Sequence, residues 1–264
     1  MRRFVLLTAL VATVLAPLPA SASDRDAPIQ LTLGDSVAFG VGTERPNVHG
    51  YTAVLSRWAA GMDCRDDQRG GCPHLELVNL AVPGATSTSL IGSQLGNAVE
   101  LLVERNHDLD NDNDVEIINV TIGGNDLFSP VVTACSGGVT PNCTGVIQGA
   151  LTTYAANLGV ILGTLRSTAG PGTEIVISTY YNPLGACHLA DLAPLADLVL
   201  EGGGPVGTGI NDIIRATAAA TNVGVADTYG RLDHDDFVGG QDCLHPDKSG
   251  HHKIARIFET ALRV

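Results

Sequence analysis

The chain has 264 residues, 44% of them hydrophobic and only 16% charged, and its 28 Asp and Glu against 15 Lys and Arg leave a net charge of -13. Such a length suits one domain with a large core. The acidity argues against nucleic acid and anionic membrane surfaces as partners, because a negative chain with no basic cluster is repelled from both at long range.

The chain opens with Met1-Arg2-Arg3, runs apolar from Phe4 to Leu15 and reaches Ala20-Ser21-Ala22, which are the charged, apolar and small-residue regions of a secretory signal. Cleavage is placed after Ala22, leaving residues 23–264 as one mature domain. It removes Arg2 and Arg3 but no acidic residue, and so deepens the net charge to -15. The apolar run falls short of the roughly 20 residues that span a bilayer, and no later segment is expected to be long and apolar enough either. The expectation is therefore a secreted, monomeric chain without a stable membrane anchor.

Apolar runs rich in Val and Ile recur at 29–33, 75–80, 115–122, 174–179 and 223–227 and predict strands. Between them, helical spacing predicts helices at about 48–60, 87–105, 145–168, 207–221 and 249–262. Short, nearly continuous apolar strands alternating with helices predict an α/β fold: a parallel sheet covered on both faces, with ligands at the carboxyl ends of the strands. No repeat, second domain or long linker interrupts this order. The irregular stretches are 61–74, 129–144 and 181–206. The last carries Leu189, Leu192, Leu195 and Val199 at helical spacing ahead of Gly202-Gly203-Gly204. It reads either as a substrate-facing flap whose glycines permit movement or as a helix covering the core.

Six cysteines in an exported chain predict three disulfides. Proximity favours Cys64 with Cys72 and Cys135 with Cys143, which leaves Cys187 with Cys243. The third would close a long loop and tie down the segment before His245. Zinc held by cysteines is the rival, but no C-x-x-C spacing is present.

Gly34-Asp35-Ser36 stands directly after the first strand, where a serine can offer both its hydroxyl and a helix-terminal N–H to the same space. In the alternative, Asp35 or Ser36 merely caps a turn. After the second strand, Gly84 in Asn79-Leu80-Ala81-Val82-Pro83-Gly84-Ala85 can bring its N–H close to a ligand. After the third, Asn125 in Gly123-Gly124-Asn125-Asp126 can donate its side-chain N–H to an oxyanion or simply satisfy a turn. Near the carboxyl terminus lies Asp242-Cys243-Leu244-His245-Pro246. A hydroxyl needs a base to become a nucleophile, and imidazole titrates in the right range. Asp242, three residues before His245, can fold back to fix its tautomer.

These blocks, GDSVAFG at 34–40, NLAVPGA at 79–85, IGGND at 122–126 and DCLHP at 242–246, stand in the order and spacing of the SGNH hydrolase superfamily, the GDSL-type esterases and lipases, which the chain resembles over nearly its whole mature length. The resemblance implies a three-layer α/β/α sandwich with a five-stranded, flavodoxin-like parallel sheet. It implies Ser36 as nucleophile and oxyanion donor, Gly84 N–H and Asn125 Nδ2 as further donors, and His245 as base, oriented by Asp242 or, as in some relatives, by a backbone carbonyl. With a signal sequence and six cysteines, the chain looks most like the exported actinobacterial branch of lipases, esterases and phospholipases. A lipid or simple acyl ester is the expected substrate, since 181–206 offers leucines rather than the aromatic platforms of a sugar groove; a carbohydrate O-acetyl ester or a phospholipid is the alternative.

Other chemistries fit less well. The α/β-hydrolases share the order Ser, Asp, His, but position 38 is Ala, so G-x-S-x-G is absent. A metal held by His245, Asp247, His251 and His252 matches no familiar zinc spacing. Asp108, Asp110, Asp112 and Asp114 alternate as in a calcium loop, yet Asn113 and Asn119 stand where such a loop needs Gly and Glu. No cofactor is expected, with structural calcium at those aspartates as the one alternative. A non-catalytic binding module would be expected to lack Ser36, Asn125 or His245, and all three are present.

Overall fold

A computed structural model describes residues 27–66, 75–109 and 111–262. The expected signal segment and Cys72 lie outside these residues, so the Cys64–Cys72 pair is not described. Five strands, β1 (Ile29–Gly34), β2 (Glu76–Asn79), β3 (Val115–Thr121), β4 (Glu174–Ser178) and β5 (Gly224–Ala226), form one all-parallel sheet in the order β2-β1-β3-β4-β5. Each coincides with a predicted apolar run to within a residue or two. The helices are α1 (Ser36–Phe39), α2 (Pro46–His49), α3 (Tyr51–Asp66), α4 (Ser87–Asn106), α5 (Gly124–Cys135), α6 (Pro141–Ala169), α7 (Ala193–Glu201), α8 (Ile210–Ala220) and α9 (Lys248–Ala261).

Side chains on a strand alternate between faces, and the two faces of this sheet are filled differently. Ile29, Leu31 and Leu33 of β1, with Ile118 and Val120 of β3 and Ile175 and Ile177 of β4, pack against α4, α5, α6, α7 and α8 in the larger apolar core. The opposite face packs against α3 and α9 through Tyr51, Leu55, Val176, Ile254 and Phe258. Near its centre it carries a buried polar layer. Gln30 Nε2 donates to Asn119 Oδ1 (2.9 Å) and Thr52 O (3.0 Å), Thr32 Oγ1 donates to Asn119 Oδ1 (3.0 Å), and the Tyr51 hydroxyl meets Thr121 Oγ1 (2.8 Å), which meets Ser178 Oγ (2.8 Å). The groups so paired avoid the 1–3 kcal/mol or so that each would cost if buried alone, whereas Gln30 Oε1 is buried without a partner.

Several boundaries differ from the expected ones, for local reasons. The predicted helix at 48–60 is two helices: Gly50 separates α2 from α3, which continues to Asp66 into the stretch read as irregular. The stretch 129–144 contains most of α5, which runs through Pro130, and the first turn of α6, where Thr140 accepts from Cys143 N–H and Pro141 occupies the first position. Proline needs no N–H partner there. At 29 residues α6 is long and apolar enough, by length and composition, to cross a membrane, contrary to expectation. Its apolar face, with Ile147, Tyr154, Leu158 and Leu162, is spent in the core. Within 181–206, α7 takes in Leu195 and Val199 of the leucine spacing, while Leu189 and Leu192 precede it in a short 3-10 turn and its cap. A two-stranded hairpin, β6 (Phe237–Gly239) with β7 (Asp242–Pro246), has no counterpart in the predicted elements because it is short and polar.

Cys135–Cys143 joins the end of α5 to the start of α6, and Cys187–Cys243 joins the loop after β4 to β7. The second closes a loop of 56 residues, which in the chain-entropy model contributes about 4 kcal/mol. Replacing both Cys187 and Cys243 by Ser is expected to lower the urea midpoint by an amount corresponding to that figure. An unchanged midpoint would show that the bridge does not constrain the unfolded chain.

Candidate active site

Ser36 opens α1 at the carboxyl end of β1, and the residues before it hold it there. Gly34 has a φ of 147°, and a Cβ at that position would stand 2.1 Å from Thr121 O. Only glycine fits between β1 and β3 at this point. The Gly34 peptide is gripped on its other side by Gln94 of α4, which accepts from Gly34 N–H and donates to Gly34 O, both at 2.8 Å. Asp35 N–H donates to Thr121 O (3.0 Å), and the Asp35 carboxylate caps α1 by accepting from Val37 N–H (2.9 Å). The strand-to-helix turn is thus fixed from three directions before Ser36 is reached.

His245 lies on β7 and faces Ser36. Its Nε2 is 2.8 Å from Ser36 Oγ, and its Nδ1 is 2.8 Å and 3.0 Å from the two oxygens of Asp242. With Nδ1–H donating to Asp242, Nε2 is the acceptor and Ser36 O–H donates to it. Asp242 Oδ1 also accepts from the backbone N–H of Leu244 and of His245, each at 3.0 Å. Partial burial works to raise the Asp242 pKa, but the Leu244 N–H and the His245 ring and N–H outweigh it and hold the carboxyl below the usual range. In this fold it is the Asp242 side chain, not a backbone carbonyl, that contacts the His245 ring nitrogen.

The other sequence-predicted residues come to the same end of the sheet. Gly84 sits in the turn after β2 with a φ of 82°, and open space surrounds the position of a Cβ. Asn125 is in the first turn of α5, where its Nδ2 donates to Ala85 O (2.9 Å), so one N–H fixes the side chain against the Gly84 loop and the other remains to donate. Asp126, the next residue, accepts from Ser87 N–H (2.8 Å) and Ser87 Oγ–H (2.5 Å) and so ties α5 to the start of α4. Asn79 of the same motif donates to Ala38 O (3.2 Å) and accepts from Ala81 N–H (3.0 Å), which joins α1 to that loop.

Of the residues weighed as metal ligands, His251 is buried with both ring nitrogens engaged by backbone: Nε2–H donates to Val41 O (2.8 Å) and Nδ1 accepts from Tyr51 N–H (3.2 Å). Burial pushes its pKa down to about 4, so the ring is neutral. Asp247 caps α9 by accepting from Gly250 N–H. Among the described residues, the three-residue set whose His, Cys, Asp or Glu ligand atoms converge is Cys187, His188 and Cys243, and the disulfide takes both of its sulfurs. Asp110 of the alternating aspartates lies outside the described residues.

A cavity of about 120 Å³ opens beside Ser36. Its walls are apolar: Leu127, Phe128 and Val131 from α5, Leu195 and Val199 from α7, and Tyr180 from the segment after β4. Wall and core helix are therefore the same element, for α7 buries Leu195, Val199 and Leu200 while lining the cavity. A hydroxyl hydrogen-bonded to a carboxylate-backed imidazole, with donors nearby and an apolar recess alongside, can carry out acyl transfer.

The sequence matches the family model described as GDSL-like lipase/acylhydrolase over residues 31–258. The chain belongs to this family. The GDSL-like fold is also that of an extracellular lipase from Streptomyces rimosus (18% identity, 89% of this chain and 100% of the other, TM-score 0.59) and of the lipase Lip_vut3 from a goat rumen metagenome (17% identity, 89% and 97%, TM-score 0.61). An acetylxylan esterase from Geobacillus stearothermophilus aligns similarly (16% identity, 91% and 97%, TM-score 0.53). No curated protein matches this GDSL-like chain. Its blocks carried Ser36, Gly84, Asn125, Asp242 and His245 in the sequence. Gln94 and Tyr180, which stand outside every block, gave no sequence signal of their place beside the site.

Proposed function

We propose that the protein is a secreted serine esterase that hydrolyses carboxylic esters of apolar acyl groups, lipids or simple esters, through an acyl-enzyme on Ser36. The observation that carries this reading is the run Asp242, His245, Ser36 ending against an apolar cavity. Ser36 Oγ attacks the ester carbonyl while its proton passes to His245 Nε2. The imidazolium so formed is paired with Asp242, and the oxyanion is met by Ser36 N–H, Gly84 N–H and Asn125 Nδ2. Collapse breaks the bond to the alcohol, which leaves with the proton from His245. Water then attacks the acyl-enzyme by the same steps and releases the acid. Export is part of the proposal and draws support from the signal-like residues 1–22 and the two disulfides.

The acyl group is placed in the cavity because burying each methylene there contributes about 0.8 kcal/mol. A series of p-nitrophenyl esters is therefore expected to show kcat/KM rising about fourfold per methylene from acetate upward until the cavity is filled. Phospholipid and acetylated xylan belong in the same assay. A maximum at acetate together with deacetylation of xylan would replace the lipid reading with that of a carbohydrate esterase.

A further inference from the structure

Asp35 is buried next to Ser36 and also lines the cavity. Each carboxylate oxygen has a separate partner: Oδ1 accepts from Val37 N–H (2.9 Å) and Oδ2 accepts from the Tyr180 hydroxyl (2.7 Å). Capping alone does not require a charge there, since Asn or Ser caps a helix as well. Burying a carboxylate costs free energy that a neutral cap avoids. Tyr180 is itself immobilised. Its N–H donates to Asn211 Oδ1 (2.7 Å) and its carbonyl accepts from Asn211 Nδ2 (2.9 Å), while the same Nδ2 donates to Glu201 at the end of α7 (2.6 Å). Glu201 is in turn paired with Arg215 of α8 (2.9 Å). The tyrosine hydroxyl is thus delivered to Asp35 from a fixed frame.

We propose that Asp35, hydrogen-bonded to Tyr180, is a positioning residue that keeps the Ser36 turn aligned with His245, so that acid inactivation is governed by two groups and not by the base alone. The proposal rests on the reading of Ser36 and His245 as nucleophile and base. Protonating Asp35 turns one of its two acceptor oxygens into a donor, so that either the cap on α1 is lost or the bond with Tyr180 is reversed, the phenol oxygen then accepting. It also removes a negative charge that favours the imidazolium formed as Ser36 attacks. Burial pushes the Asp35 carboxyl up to about 6, against the pull of the Tyr180 hydroxyl, Val37 N–H and His245, while Asp126 of α5 adds to the rise. The other titratable groups facing it, Tyr51, Tyr154 and Tyr181, are buried phenols raised above their ordinary range and neutral. The sign follows: as pH falls through that value Asp35 takes up a proton, its bonds to Val37 and Tyr180 rearrange, and the negative charge beside His245 is lost.

The test is the pH dependence of kcat/KM on a soluble short-chain ester between about pH 4 and 9, where the limbs report ionisations of the free enzyme. Wild type, Tyr180→Phe and Asp35→Asn are compared, with thermal midpoints recorded alongside. In the wild type the acid limb is expected to steepen toward a slope of two. Tyr180→Phe loses a bond that favours the carboxylate and is expected to move the upper apparent midpoint upward by about one pH unit. Asp35→Asn is expected to leave a slope of one. A single-proton limb in the wild type, or a Tyr180→Phe profile lowered equally at every pH, would overturn the proposal. Tyr180→Phe keeps it testable if Asp35→Asn folds poorly, because it leaves the α1 cap intact. Turnover surviving in Ser36→Ala would instead overturn the reading on which the proposal rests.

Discussion

Ser36→Ala is expected to lower kcat by up to about a millionfold, and His245→Ala by a similar factor, because nucleophile and base act as one unit. The double variant is expected to be little worse than either single one. This non-additivity is the sharper test, since two residues that helped independently would multiply their losses. The geometry behind it is the 2.8 Å contact between Ser36 Oγ and His245 Nε2. Without His245 the hydroxyl keeps its proton, and without Ser36 the imidazole has nothing to activate except water. Organophosphonate labelling gives an independent reading: the wild type incorporates one label, and Ser36→Ala none. A Ser36→Ala protein that still turned over a p-nitrophenyl ester at a tenth of the wild-type rate would place the nucleophile elsewhere.

Asn125→Ala is expected to lower kcat by about 100- to 1,000-fold with KM nearly unchanged, the loss of one oxyanion donor. The split follows from where the charge is. The ground-state carbonyl carries little negative charge and gains little from the amide, whereas the tetrahedral oxyanion gains roughly 3–4 kcal/mol. Asn125 also anchors itself on Ala85 O, beside Gly84, so the variant loses the tie between two donor-bearing loops as well as a donor. A rise in KM at constant kcat would assign Asn125 to substrate binding and leave the oxyanion to Ser36 and Gly84.

The parts of the fold that were legible in the sequence are those whose cause is local. Strands β1 to β5 stand where Val and Ile cluster, and Ser36, Gly84 and Asn125 follow the strands that position them. The four blocks pointed to the candidate site because each lies within a few consecutive residues. What the sequence concealed depends on contacts across the fold. Gln30 and Thr32 alternate with apolar residues in β1 and look like the wet side of a strand, yet Asn119 and Tyr51 make them interior. Gln94 is an ordinary polar residue of a long helix until β1 brings Gly34 to it. The Tyr180 hydroxyl reaches a carboxylate 145 residues away in the chain, a distance over which no pattern is visible. Helix α5 was hidden by Pro130, which ordinarily breaks a helix, and the β6–β7 hairpin by its brevity.

Ser36 and His245 are 209 residues apart in sequence and meet only where β7 packs against α1. Closing so long a loop carries an entropic cost that only the assembled core can offset. On the proposed mechanism, a partly folded chain therefore holds Ser36 and His245 but not the contact that would activate the serine. Hydrolysis then serves as a clock for refolding in the test tube, since activity is expected to return with this long-range contact and not with the local helices.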